Sequence, residues 1–249
     1  MSMNIPRAQF PNPQFERKSW QCLNGRWDFE YDSGDSGEER FMFKGIGYSM
    51  KINVPFAPES ILSGVHNTDF INCVWYSKAV DIPADKLSGR ILLKFGAVDY
   101  HASLWINERY AGFHRGGSAQ FCFDITPFVK AGENTIVLRA RDDVRSGLQP
   151  GGKQSDRYKS YNCRYTRVTG IWQSVWLEFI DSKYYIKNYS IITEPDDNKA
   201  YITAYLNGAE KGGILTARAY YKGELAASPA LSPELGASAL GGHEGRLAP

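Results

Sequence analysis

The chain has 249 residues, enough for one large domain or two smaller ones with a core that needs no cross-links. Aromatic residues make up 14% and the formal charge is +2 with both signs interspersed, so the composition favours β-structure and argues against a nucleic-acid surface. The four cysteines, Cys22, Cys73, Cys122 and Cys163, form no CxxC pair, and no apolar run reaches the ~18 residues of a membrane span.

The opening "MSMNIPRAQF" has no apolar stretch of the kind that marks secretion. The expectation is a soluble, cytoplasmic chain with buried, reduced thiols, no metal and no cofactor. Strands are predicted over Trp27–Tyr31, Lys51–Val54, Val74–Val80 and Arg90–Phe95. "HASLWIN" sets Ala102, Leu104 and Ile106 on one face, against Ser103, Trp105 and Asn107. A strand follows at Gln120–Asp124, and "NTIVLRA" sets Ile136, Leu138 and Ala140 against Thr135, Val137 and Arg139. "SVWLEF" sets Val175, Leu177 and Phe179 against Ser174, Trp176 and Glu178. This period of two belongs to strands with one covered face. Asn24-Gly25, Gly112, Gly116-Gly117 and Ala131-Gly132 punctuate them as turns. No segment keeps a 3.6-residue period over ten positions, which argues for an antiparallel β-sandwich or jelly roll and against a parallel α/β sheet.

Aromatic density pauses near residues 181–183. Strands then resume at Tyr185–Ile192, Tyr201–Leu206 and Ile214–Tyr221, the opening of a second, smaller sandwich that is too short to close. From Leu225 the chain holds no aromatic, Val or Ile, so it buries too little to offset its ordering entropy. The expected domains are therefore residues 1–182, residues 183–224 and a loosely held low-complexity tail, 225–249, that is not the domain's natural continuation.

"IPRAQFPNPQFERKSWQCLNGRWDFEYD", "VPFAPES", "VWYSKAVDIP", "GRILLKFGAVDYHASLWIN", "FDITPFVKAGENTIVLRARDD", "GKQ" and "YTRVTGIWQSVWLE" occur in this order over roughly residues 5–180. Together they resemble the opening of glycoside hydrolase family 2 enzymes, the β-galactosidases and β-glucuronidases. The resemblance implies an all-β chain: a sugar-binding jelly roll, then the start of an immunoglobulin-like sandwich. It also implies carbohydrate and a catalytic barrel domain as partners. In the family a barrel carries the two catalytic glutamates, and the chain stops before one could begin. No catalytic residue is therefore expected here. The piece would supply a wall of the substrate pocket and an inter-domain or subunit interface, so a homo-oligomer is among the partners considered.

Three positions depart from the family pattern. "HRGGSAQF" has Arg115 and Ser118 where members commonly carry a glutamate and an aromatic. Arg164 stands where the best-known members place an acid shortly before the "GI" pair. An arginine cannot accept hydrogen bonds from sugar hydroxyls, so that substrate contact does not carry over. The long polar loop at residues 142–167 is the segment expected to reach towards the barrel, with Lys153, Gln154, Asn162 and Arg164 as candidate substrate-binding residues. Asn107-Glu108 reads as a hairpin turn. Asp142-Asp143 reads as a strand end with local salt bridges, and Asp124 as a turn acceptor. Gly170 permits a tight backbone approach before the last strand. Trp172 and Trp176 are read on one strand face, covered by the rest of the enzyme or a loop, with a sugar-stacking platform as the alternative. His66, His101 and His114 are read as packing or surface residues. A free-standing carbohydrate-binding module and a plain interaction sandwich are the alternative functions.

Overall fold

The computed structural model describes residues 5–181, 184–197, 199–208, 214–227, 230–231 and 243–247. The chain divides into two compact units, residues 1–181 and 182–249. Among the described residues the helices are all short 3-10 turns, and the named strands pair antiparallel throughout.

The first unit holds twelve strands: β1 (Trp20–Cys22), β2 (Gly25–Tyr31), β3 (Met50–Val54), β4 (Cys73–Ile82), β5 (Arg90–Phe95), β6 (Val98–Asp99), β7 (His101–Ile106), β8 (Arg109–Arg115), β9 (Phe121–Asp124), β10 (Gly132–Arg141), β11 (Gly170–Ile171) and β12 (Val175–Ile180). They form a four-stranded sheet in the order β1-β12-β5-β9, a six-stranded sheet β3-β2-β4-β10-β7-β8 and a short β11-β6 pair. The alternation read from sequence sets the faces. Ala102, Leu104, Ile106, Ile136, Leu138, Ala140, Val175, Leu177 and Phe179 all lie in the core between the sheets. Trp27, Phe29 and Tyr76 fill its centre, with Phe29 edge-on to Tyr76 at 5.2 Å between centroids. At about 25 cal/mol per Å² of apolar surface removed from water, such a core dominates stability.

Each outer face carries its own cover. On the six-stranded sheet, Trp75, Trp105, Cys73 and Val137 pack with Met42 and Phe43 from the excursion between β2 and β3. Asp32 anchors that excursion. Its carboxylate accepts from Trp75 Nε1 (2.9 Å), Gly37 N (2.8 Å), Ser36 N (3.0 Å) and Arg40 Nη2 (2.8 Å). Burial pushes this carboxyl up, but the four donors outweigh burial and hold it below the usual range. On the four-stranded sheet, Trp176 is buried beneath Phe10, 6.3 Å away. Its Nε1 donates to Glu178 Oε1 at 2.9 Å, and the same oxygen meets Lys94 Nζ at 3.1 Å. The N-terminal segment is thus the loop that covers Trp176.

Trp172 is not on the face of Trp176, which corrects the sequence reading. The chain breaks at Gln173–Ser174, so Trp172 follows β11 in one sheet while Trp176 belongs to β12 in another. Gly170 behaves as expected. It has φ +72°, and a Cβ there would collide with Tyr76 Oη. Asn107 and Glu108 form the β7–β8 turn with φ 50° and 66°, and Thr126 N donates to Asp124 Oδ1 at 3.1 Å. His66 is exposed, and His114 stacks on Phe121 at 4.0 Å.

In the second unit, β13 (Ile186–Glu194), β14 (Lys199–Leu206) and β19 (His243–Leu247) form one sheet. Two short pairs join β15 (Leu215–Thr216) to β18 (Ala230–Leu231) and β16 (Ala219–Tyr221) to β17 (Glu224–Ala227). The single strand expected over 214–221 is therefore two, each with its own partner. Most of the expected tail lies outside the described residues. Within it, the backbone of β19 pairs with residues 200–204 of β14.

Candidate functional site

The loop between β10 and β11 is built from its own backbone outward. Tyr165 N donates to Lys153 O and Ser155 N to Tyr165 O, both at 2.7 Å, which folds the loop back on itself. Ser155 is fully buried, accepting from Arg157 N at 3.1 Å and lying 2.9 Å from Lys159 O. Arg167 is buried too. Its guanidinium donates to Ser155 O (3.2 Å), Arg157 O (2.6 Å) and Thr68 O, and lies over the Phe70 ring at 4.1 Å. A single arginine therefore straps the loop to the segment before β4 through three carbonyls.

One side of this loop walls a cleft of about 530 Å³, whose other walls are the β6–β7 junction, the β8–β9 loop and Trp172. Asp99 ends β6 at its back, only 7% exposed. Its Oδ2 accepts from Gln154 Nε2 at 2.7 Å, while its Oδ1 is buried without a hydrogen-bond partner. Burial pushes the Asp99 carboxyl up to about 6. Gln154 Oε1 accepts from Val168 N at 2.7 Å, so both ends of this amide are used. Gly117 passes so close to Asp99 that a Cβ there would strike the carboxylate, and Trp172 Nε1 donates to Gly117 O at 2.7 Å. Tyr165, 62% exposed, and half-buried Trp172 give the cleft its aromatic surface.

The four predicted residues separate into two pairs. Lys153 and Gln154 line the cleft, Lys153 exposed with Nζ 6.0 Å from the Tyr165 ring centre and Gln154 acting as a brace. Asn162 and Arg164 lie on the exposed turn at Tyr161–Arg164, outside the lining. Arg164 Nη1 donates back to Gln154 O at 3.4 Å, and its guanidinium lies 5.8 Å from the Tyr161 ring centre.

Behind the cleft lies a group of buried acids that the sequence reading did not find. Thr169 N donates to Glu59 Oε2 at 3.2 Å, and Thr169 Oγ1 to Asp142 Oδ2 at 3.3 Å. Gln149 Nε2 donates to Asp142 Oδ1 at 2.6 Å. Burial, then the nearby Asp99 carboxylate, push Asp142 up to about 8, and burial pushes Glu59 up to about 7. The expected salt bridges are absent: among the described residues no ion pair reaches Asp142 or Asp143. Neutral donors replace them because Asp142 is buried, where an unpaired charge is too costly.

Asp32, Asp35 and Cys73 also place ligand-type atoms within 4.8 Å of one another. Asp32 is occupied as described above, and Asp35 pairs with Arg141 Nε at 2.9 Å and Arg139 Nη1 at 3.7 Å. This grouping serves to anchor the excursion.

Residues 20–179 match the glycosyl hydrolases family 2, sugar binding domain. The chain belongs to glycosyl hydrolase family 2. Over 146 residues it is 27% identical to a beta-glucuronidase of Paenibacillus borealis, covering 58% of this chain and 24% of that protein. It is 28% identical over 148 residues to a beta-galactosidase of Thermoanaerobacter pseudethanolicus, covering 57% of this chain and 19% of that one. The apo beta-glucuronidase of Ruminococcus gnavus superposes with a TM-score of 0.70 at 19% identity, over 95% of this chain and 40% of that one. At that identity the likeness is one of fold. The chain spans about a quarter or less of these two curated relatives.

Within this family 2 sugar-binding domain, the loop read from the sequence walls the cleft through Lys153 and Gln154, but the reading missed Asp99, Glu59 and Asp142 as a group. The available signal was a lone acid in the short run "FGAVDY", between two apolar strands. It marks Asp99 as a buried carboxylate needing a partner, without naming Gln154.

Proposed function

We propose that this chain is the N-terminal, non-catalytic portion of a family 2 glycoside hydrolase that cleaves β-linked terminal sugars by the two-step retaining route, and that its cleft forms part of the substrate wall. The observation that carries this reading is the family match over residues 20–179, with the aligned stretch covering a quarter or less of the two curated relatives. Retaining hydrolysis requires an acid and a nucleophilic carboxylate about 5–5.5 Å apart, with contrasting proton affinities. Asp32 and Asp35 bring carboxylate atoms within 4.8 Å of each other, but both are held by cationic or N–H donors and lack the contrast in proton affinity that the chemistry needs. Asp99 is the one carboxylate in the cleft lining, held behind Gly117 with Oδ1 shielded from solvent, so it shapes the back of the wall. The Trp172 and Tyr165 rings can pack on a pyranose face. The full partner set in this reading is carbohydrate and a catalytic barrel domain, in the cytoplasm.

The test is hydrolysis of nitrophenyl β-glucuronide and β-galactoside by the purified chain. No turnover above buffer is expected. Turnover that Asp99→Asn abolishes would make the cleft a catalytic centre and overturn the reading.

A further inference from the structure

The outer face of the six-stranded sheet holds a second recess, of about 450 Å³, whose His101 and Arg115 follow and precede Tyr100 and Gly116 of the cleft while its floor and rings are its own. Cross-strand pairing builds it. His101, Ser103 and Trp105 of β7 stand opposite Arg115, Phe113 and Tyr110 of β8. In a regular strand residues 110 and 113 would point to opposite faces. A β-bulge changes this. Leu104 pairs with Gly112 and Trp105 with Tyr110, so Ala111 is the extra residue, and it packs against the core. The Gly112 Cα likewise faces inward, where an added Cβ would meet Phe123, and its φ is +138°. The bulge therefore turns Tyr110 and Phe113 to the same outer face, both more than half exposed. Re-aiming a side chain at a sheet edge is what bulges do, and β8 is the edge strand here.

The charge around these rings is cationic. Arg139 lines the recess, almost fully buried against Trp105 at 5.7 Å. Glu38 binds its Nη1 at 2.6 Å, yet its Nε has no hydrogen-bond partner. Arg115 lies 5.9 Å from the Phe113 ring centre, and no ion pair among the described residues reaches it. Burial and then Arg115, Arg141 and Arg139 depress the proton affinity of His101, which reports a positive field at this face.

We propose that this face is a second carbohydrate site, distinct from the cleft, that takes an acidic saccharide: the pyranose ring packs on Tyr110 and Phe113 while its carboxylate pairs with Arg115. Two ring faces supply apolar contact at little rotamer cost. A guanidinium matches a carboxylate in a two-pronged pair. Exposed Glu38, whose Oε1 meets Arg139, is an acceptor for ring hydroxyls through its other oxygen.

The probe is methyl β-D-glucuronide, with methyl β-D-glucoside as its neutral counterpart, titrated into the full chain and followed by amide NMR shifts. Saturable binding of the glucuronide, roughly tenfold or more tighter than the glucoside, is expected from one charge-assisted pair. Arg115→Met should bring the glucuronide down to the glucoside's affinity, and Arg115→Lys should restore part of it. Phe113→Ala should weaken both sugars, whereas Trp172→Ala, in the cleft, should change neither at this site. All the altered side chains at this face are exposed, so the variants should fold. The proposal is overturned by absence of saturation, by equal affinity for the two sugars, or by loss with Trp172→Ala alone. A light-scattering mass that doubles with concentration and collapses in Phe113→Ala would assign the face to self-association instead.

Discussion

Asp142→Asn isolates what the buried acids behind the cleft do to the fold. The Asp142 carboxyl has an ordinary value of 3.8 and stands at about 8 in the folded domain, where only 3% of the residue is exposed. At pH 7 the unfolded chain carries this group ionised, while the folded domain takes up a proton. Over roughly three pH units at 1.36 kcal/mol each, that uptake costs about 4 kcal/mol at pH 7. The sign follows from the raised value. The folded state binds more protons than the unfolded state above pH 4, so this contribution falls as pH rises and is fully lost above about 8. An asparagine is neutral in both states. It can still accept from Gln149 Nε2 and can donate to Thr169 Oγ1, the present partners of Asp142. Urea unfolding at pH 4, 5.5, 7 and 8.5 is the assay. Tryptophan fluorescence reports the first unit alone, since all six tryptophans lie at positions 20–176. The variant should match the parent near pH 4 and exceed it by about 4–5 kcal/mol near pH 8, with a flatter profile. A loss of equal size at every pH would show that Asp142 is ionised and that its charge supports the fold, which would refute the reasoning.

Asp32→Ala leaves buried Trp75 Nε1 and Gly37 N without their acceptor. At 1–3 kcal/mol for each orphaned donor, the loss should be about 3 kcal/mol, or roughly 6–12 °C in Tm by calorimetry; a change below ~2 °C would mean that the excursion does not depend on this anchor. Gly170→Ala and Gly132→Ala form a matched pair, since both glycines have positive φ (+72° and +81°) but only Gly170 has a side chain in the way. Gly132→Ala should cost about 1 kcal/mol, and Gly170→Ala about 2 kcal/mol more from displacing the Tyr76 ring and its bond to Ile171 N at 3.2 Å. Equal losses in urea unfolding would refute the packing argument. Gln154→Ala frees Asp99 Oδ2 and Val168 N together. It should speed tryptic cleavage at Lys153 and Arg157 several-fold with a modest loss of stability, about 1–3 kcal/mol; an unchanged cleavage rate would mean that the loop is held without this brace.

The sequence by itself determined where most strands of the first unit lie and which face of three of them meets the core between the sheets. Alternation in "HASLWIN", "NTIVLRA" and "SVWLEF" assigned nine core residues correctly, because side chains on a strand must alternate whatever stands opposite them. It also determined the polar loop at 142–167 and the close approach at Gly170. What a period of two cannot specify is the identity of the neighbour across a gap. Asp99 meets Gln154, 55 residues away, and Asp142 meets Thr169, 27 residues away, only once β6 and β11 have paired. Tertiary structure alone therefore turned an apparent surface acid pair into one buried carboxyl with neutral partners. It moved Trp172 from a strand face into the cleft wall. It also inserted the extra residue in β8 that brings Tyr110 and Phe113 to one side. Each of these depends on which backbone lies opposite, and that is decided by the packing of the two sheets.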